Sequence, residues 1–150
     1  MKKKTSAISL ITIILIISPL LYVYTANAAT TSTVTVTLNE TPTAVGQTLT
    51  ASINIAGVEN LWAWGAKVTW NSAVLIATNL VKGPFLGQNG DSSFFSPVVY
   101  DNVAGTLKGG PSDTLLTSSG ISGDGVLAKI TFLVVGTGST DIALSNVELL

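Results

Sequence analysis

The chain has 150 residues, with seven lysines, eight acidic residues and no arginine, histidine or cysteine. The missing side chains exclude the commonest general base, a thiol nucleophile, disulfides and the usual zinc ligand sets. Catalysis would have to come from carboxylates, hydroxyls or lysines, so the composition indicates a binding protein without a cofactor or metal rather than an enzyme.

The first residues have the pattern of an export signal. Lys2, Lys3 and Lys4 precede an apolar run that ends shortly before Ala26-Asn27-Ala28. A positive start, an apolar stretch and a small-x-small site are typical of a signal peptide. We therefore predict a signal peptide over residues 1–28, cleavage after Ala28, and an extracellular location, secreted or on the cell surface. An uncleaved anchor is the alternative, because the run approaches the roughly 20 residues of a membrane-spanning helix.

The remaining residues, 29–150, suit one domain. They contain four lysines and eight acidic residues, which gives a net charge of −4. A mildly acidic domain without arginine lacks the basic footprint of nucleic-acid binding. Contact with a membrane is expected only through an uncleaved signal segment or a C-terminal anchor. An apolar strand runs up to Leu150, which suggests that the domain continues beyond it.

Alternation of apolar and polar residues predicts β-strands along most of this domain. A polar lead-in over residues 29–33 precedes strands at Val34–Leu38 and Leu49–Ile55, the second of them closed by Gly57. Apolar side chains alternate again over Trp62–Trp70.

The strand over Trp62–Trp70 separates two sets of side chains. Because the pleat sends successive side chains to opposite faces, the even-numbered residues form one apolar face. Trp64 and Trp70 are therefore predicted core residues. Trp62 stands where the strand begins, and both burial and stacking of an exposed indole on a glycan remain open for it.

The second half of the domain gives weaker signals. Residues 94–100 predict a strand that Pro97 confines to an edge or a bulge, and a hairpin follows over residues 101–108. Glycine and serine predict a flexible excursion over residues 109–125, before strands at Val126–Val134 and 142–149. About nine strands without a helix predict an all-β, two-sheet sandwich with Greek-key character.

Four segments in this order resemble one family, the cohesin domains. They are Thr41-Pro42 through Gly46-Gln47, Leu61-Trp62 through Val74-Leu75, Gly123-Asp124-Gly125 through Phe132, and Ile142 through Val147. The resemblance covers about residues 34–150. It implies a jelly-roll sandwich of about nine strands, related in fold to carbohydrate-binding modules.

The resemblance also implies a partner and a face. Cohesins hold dockerin domains, which recruit polysaccharide-degrading enzymes, on the sheet that contains their third, fifth, sixth and eighth strands. The matching outward positions on strand three are Ala63, Gly65, Lys67 and Thr69. On the strand that corresponds to the eighth, the outward set is Leu127, Lys129, Thr131 and Leu133, of which Lys129 and Thr131 are the polar candidates for partner binding. A sheet surface that only faces solvent would show the same pattern. Cohesins that bind dockerin usually have polar residues at the first of these strand-three positions, and Ala63 and Gly65 depart from that.

Three aspartates and one asparagine are candidates for separate roles. Asp91, Asp113 and Asp124 lie in segments rich in glycine and serine, where oxygen ligands can bind Ca²⁺, although aspartate beside glycine is usual in turns. None of these acids pairs with another at the spacing of a glycosidase. Asn39 begins an N-x-Thr sequence and is a possible glycosylation site.

These observations favour an exported, non-catalytic module that binds a dockerin-like protein or a polysaccharide during extracellular polysaccharide degradation. The alternative is a structural surface-layer or adhesion domain without a polysaccharide role.

Overall fold

The computed structural model describes residues 31–42, 44–117 and 119–150. The predicted signal peptide and its cleavage site lie outside these residues. The described residues form ten strands and one 3-10 turn, Phe85–Gly87. The strands are β1 Thr33–Leu38, β2 Thr48–Leu61, β3 Ala63–Thr69, β4 Leu75–Lys82, β5 Ser93–Phe95, β6 Val99–Asp101, β7 Thr106–Lys108, β8 Ser112–Leu115, β9 Ile121–Val134 and β10 Ala143–Leu149.

The strands form two antiparallel sheets. The first is four-stranded with the order β1-β2-β9-β4. In the second sheet, which has six strands, β3 is central. One side of β3 pairs with β10, and its other side pairs with β8 near Ala63–Gly65 and with β7 at Thr69. The predicted all-β sandwich is confirmed, with ten strands instead of about nine.

Alternate residues of the long strands fill the space between the two sheets. Ile53 on β2, Val68 on β3 and Phe132 on β9 are fully buried. Trp64 and Trp70 are 2% and 7% exposed, which confirms that both belong to the core. The rings of Trp70 and Phe132 meet edge to face at 5.2 Å, and Trp70 Nε1 donates a hydrogen bond to the Leu75 carbonyl at 3.0 Å.

Strand β2 extends further than the sequence predicted. β2 continues through Gly57 to Leu61. It stays paired with β9 over this length because the register of the pairing shifts on either side of Val58, as at a β-bulge. Gly57 has a φ of +67°, a conformation that glycine adopts readily, so it bends the strand without ending it. The next strand accordingly begins at Ala63 and not at Trp62.

The predicted flexible excursion over residues 109–125 is wrong. Ser112–Leu115 form β8, which lies between β5 and β3, and β9 already begins at Ile121. The glycines in this segment allow the backbone to turn, but the buried side chains of Leu115 and Ile121 fix it to the core. The strand predicted over residues 94–100 is divided into β5 and β6 on either side of Pro97.

No helix in residues 31–42, 44–117 and 119–150 is long and apolar enough to cross a membrane.

Candidate partner-binding face

The outer face of the six-stranded sheet, here called the β3 face, contains four of the six residues predicted for partner binding. Ala63, Gly65, Lys67 and Thr69 alternate along β3 with the buried residues Trp64, Ala66 and Val68. The pleat therefore directs all four outward. Lys67 is exposed and the other three are half-buried between neighbouring strands.

The neighbouring strands extend this face into rows. Thr114 on β8 lies opposite both Ala63 and Phe94, and Leu150 exchanges backbone hydrogen bonds with Ala63 at 2.9 and 3.1 Å. Phe94 is 58% exposed and Leu116 is 67% exposed. One end of the β3 face therefore presents apolar side chains to solvent.

A depression crosses the middle of the face. Gly65 lies between Ser112 on β8 and Glu148 on β10. Without a side chain at Gly65, the surface opens into a depression of about 560 Å³ whose lining also includes Pro111 and Asn146. A Cβ atom at Gly65 would lie 3.6 Å from the Ser112 Cβ, so the space above the strand is open to a partner and not filled from within.

The other end of the face is charged. Lys67 lies opposite Ser145, and Lys108 Nζ is 2.8 Å from the Asp101 carboxylate across the β6–β7 hairpin. The hydrogen bond from Lys108, followed in size by the one from the Ala104 N–H, holds the pKa of Asp101 below its usual value. The face thus combines an apolar end, a depression and a polar end, a mixture typical of protein interfaces.

Lys129 and Thr131 do not belong to this face. Both lie on β9, which pairs with β2 and β4 in the four-stranded sheet. The outer face of that sheet is on the opposite side of the sandwich. The prediction that these two residues share a face with Lys67 and Thr69 is therefore wrong, since β10 and not β9 is the neighbour of β3. Leu127, predicted to point outward on the same strand, is buried as the extra residue of a bulge.

Trp62 lies where the chain passes from β2 into β3 and is half-buried. Its backbone N–H donates to the Leu150 carbonyl at 2.6 Å, and its carbonyl accepts from the Leu115 N–H at 2.8 Å. Stacking of this indole on a glycan stays a prediction. Asn39 is exposed directly after β1, and its Oδ1 accepts a hydrogen bond from the Thr50 N–H, so its glycosylation also stays a prediction.

The three candidate Ca²⁺ ligands lie in separate places. Asp91 is in the loop that leads into β5. Asp113 is 1% exposed within β8, where its Oδ2 is 3.7 Å from Lys82 Nζ. Lys82 also donates a hydrogen bond to Ser93 Oγ. Through these two contacts the Lys82 side chain connects β4 of one sheet with β5 and β8 of the other. Asp124 Oδ1 accepts from the Gly57 N–H. In the part of the chain that the structure describes, no three acidic side chains come together.

Sequence reasoning missed Phe94, Leu116, Asn146 and Glu148 as members of the β3 face. Phe94 stands between a serine and a second phenylalanine, a period-two signal too short to assign a face. Asn146 and Glu148 were assigned to the last strand, but period-two alternation does not identify the strand's neighbour.

The described chain is thus a two-sheet β-sandwich with a mixed polar and apolar face on one sheet, the architecture of a binding module. The model of the cohesin domain matches residues 32–148. The chain therefore belongs to the cohesin family, whose domains are non-catalytic binding modules. No curated protein matches it.

Solved cohesin structures share the fold. A type II cohesin in a cohesin–X-dockerin complex from Acetivibrio cellulolyticus has a TM-score of 0.65 at 15% identity, covering 77% of this chain and 78% of that one. The type II cohesin A11 from Bacteroides cellulosolvens has a TM-score of 0.59 at 16% identity, covering 75% and 78%. A non-cellulosomal cohesin from the archaeon Archaeoglobus fulgidus has a TM-score of 0.51 at 17% identity, covering 70% and 68%.

Proposed function

We propose that this chain is an exported binding module that holds a dockerin-like protein on the β3 face and acts in extracellular polysaccharide degradation. The observation that carries the proposal is the β3 face itself, in a chain of the cohesin family. Its apolar end exposes Phe94 and Leu116, its centre is open above Gly65, and its far end is charged. The similar cohesin from Acetivibrio cellulolyticus was solved in complex with an X-dockerin.

The apolar end would supply most of the affinity, because burial of exposed aromatic and aliphatic side chains is the main favourable term in association. The charged end would set orientation and on-rate, since charges at the rim of an interface act mainly on encounter and specificity. No covalent chemistry is required of any residue on this face.

Two lysines on opposite faces allow a matched test. Lys67 and Lys129 are both exposed, the first on the β3 face and the second on the four-stranded sheet. Binding of purified type I and type II dockerins is measured by biolayer interferometry for the unmodified chain, Lys67→Glu and Lys129→Glu. We expect Lys67→Glu to weaken binding at least tenfold, about 1.4 kcal/mol, and Lys129→Glu to leave it unchanged.

Both variants change the net charge equally, so non-specific electrostatics would affect them equally. Equal weakening by both substitutions, or stronger weakening by Lys129→Glu, would remove the β3 face as the binding surface. No binding of the unmodified chain to any dockerin would contradict the proposed partner.

A further inference from the structure

Gly65 lies in the interior of β3, the central strand of the six-stranded sheet, on its outer side. A glycine at such a position weakens a strand, because it loses more conformational freedom on folding than other residues and has no side chain to pack. A glycine is therefore expected there only where the backbone conformation, a close neighbour or a bound partner requires it.

Neither the backbone nor a neighbour requires this glycine. Eight other glycines have a positive φ, and at four more a Cβ atom would come between 2.0 and 2.6 Å from a neighbouring atom. Gly65 has neither feature, since its φ is not positive and its Cβ would meet Ser112 at 3.6 Å, an ordinary contact distance. Of the 14 glycines, all within the described residues, only Gly87 in the 3-10 turn shares this property. The packing of the chain itself therefore does not explain the missing side chain at position 65.

The neighbouring strands leave the backbone at Gly65 bare. The residues opposite it in the ladder are Ser112 on β8 and Glu148 on β10. An aromatic side chain on an adjacent strand can cover a glycine in a sheet, but neither of these neighbours is aromatic. A flat ring supplied from outside would cover the peptide groups that the chain leaves exposed.

Strand β10 is irregular beside this glycine. Its ladder with β3 shifts register between Ser145 and Glu148, and Asn146, within the shift, has a φ of +48°. A left-handed conformation is uncommon for residues other than glycine, and bulges are frequent next to functional sites, where they re-aim side chains. Asn146 is exposed and lines the depression. The bare glycine and the bulge thus meet at one place on the β3 face.

The depression has room and suitable surroundings for a ring. Its volume of about 560 Å³ lies within the roughly 300–1,000 Å³ typical of small-ligand sites. The lining includes the apolar residues Ala66, Leu107 and Pro111. Lys67, the next outward residue of β3, is exposed, and no ion pair or hydrogen bond joins its ammonium group to another described residue. A lysine ammonium group is attracted to the face of an aromatic ring.

We propose that the partner held on the β3 face inserts an aromatic side chain into this depression, where the ring lies on the backbone of Gly65 and beside Lys67. The partner rests on the proposed function, and the site rests on Gly65. This glycine then determines which partners fit, because a side chain at position 65 would occupy the place of the ring.

Substitution of the glycine tests the insertion. Binding of the purified type I and type II dockerins is measured by biolayer interferometry for Gly65→Val, Gly65→Ala and Gly87→Ala, the last of which adds a methyl group outside the β3 face. We expect Gly65→Val to weaken binding at least tenfold, Gly65→Ala to weaken it less and Gly87→Ala to leave it unchanged. The melting temperature of Gly65→Val should not fall, because valine is favoured in strands.

Three results would overturn the inference while the proposed function stood. They are unchanged binding by Gly65→Val, equal weakening by Gly65→Ala and Gly87→Ala, and a clear fall in the melting temperature of both Gly65 variants. The last would show that the chain itself needs this glycine.

A small probe tests the ring without a dockerin. The compound 4-methylphenol carries the ring of a tyrosine side chain, and 4-methylcyclohexanol is its saturated counterpart. In titrations followed by ¹H–¹⁵N NMR spectra of the unmodified chain, we expect 4-methylphenol to bind at least tenfold more tightly and to shift the amide signals of Gly65, Lys67 and Ser112. Equal affinities of the two compounds, or shifts that persist in Gly65→Val, would overturn the inference. If no dockerin binds the unmodified chain, the proposed partner fails, and this titration still decides whether the depression takes an aromatic ring.

Discussion

At the scale of single residues, the three tryptophans show how far a period-two pattern decides burial. Trp64 and Trp70 stand on the even register of β3 and are buried. Trp62 has the same register but precedes the first paired residue of β3, so the pleat does not fix its position. It lies in the connection between β2 and β3 and is half-buried, and a period-two pattern predicts burial only within a strand.

We expect the tryptophans to separate in stability measurements. Trp64→Ala and Trp70→Ala should each lower the free energy of unfolding by about 3–5 kcal/mol, because each leaves a large cavity in the core. Trp62→Ala should cost clearly less, since this side chain is only half-buried. Thermal and urea unfolding of the three variants measures the difference.

The same variants test the stacking of Trp62 on a glycan. Retention on insoluble cellulose, chitin and xylan is measured beside the melting temperatures. If Trp62 stacks on sugar rings, Trp62→Ala should lose retention at a nearly unchanged melting temperature. A loss of stability as large as that of Trp64→Ala would contradict an exposed site at this position.

At the scale of elements, the alternation of side chains predicted β1, β2, β3 and β9 but not their partners. The alternation of side chains shows which residues of one strand share a face. It does not show which sheet the strand joins, because that depends on where the connections between strands cross from one sheet to the other. Lys129 was therefore placed outward correctly and assigned to the wrong sheet. Leu127 was placed outward and is buried, because a bulge adds one residue to β9 and reverses the alternation at that point.

The β6–β7 hairpin should respond to acid through one ion pair. The pKa of Asp101 is lowered in the folded chain, so its stabilising contribution is present above the ordinary aspartate pKa of about 3.9 and is lost as the pH falls through the lowered value. Asp101→Asn should reduce the melting temperature at neutral pH, and the difference from the unmodified chain should disappear in strong acid.

Melting curves between neutral and strongly acidic pH measure this dependence. Asp141→Asn, at an exposed aspartate outside the hairpin, is the control and should follow the unmodified chain throughout. A constant difference between Asp101→Asn and the unmodified chain at every pH would show that the ion pair with Lys108 does not stabilise the hairpin.

At the scale of the whole molecule, the β3 face and the outer face of the four-stranded sheet lie on opposite sides of the sandwich. A partner on the β3 face would therefore leave Lys129 and Thr131 in contact with solvent, which is why Lys129→Glu is the matched control for Lys67→Glu.

Export of the chain gives the remaining prediction. Expression with the natural N-terminus in a secreting host should yield a product that begins at Ala29, because Ala26-Asn27-Ala28 forms the small-x-small site. N-terminal sequencing of the secreted protein measures this. A membrane-bound product that keeps Lys2 would instead support the uncleaved anchor.

The contact between Trp70 and Phe132 has an optical consequence. The two rings come from different sheets, and the indole is also held by its hydrogen bond to the Leu75 carbonyl. Fixed aromatic rings in an asymmetric environment produce near-ultraviolet circular dichroism, whereas strands produce the far-ultraviolet signal. The near-ultraviolet signal of these two rings therefore reports on the packing of one sheet against the other. It should be lost when the two sheets separate, even if each sheet keeps its strands and its far-ultraviolet signal.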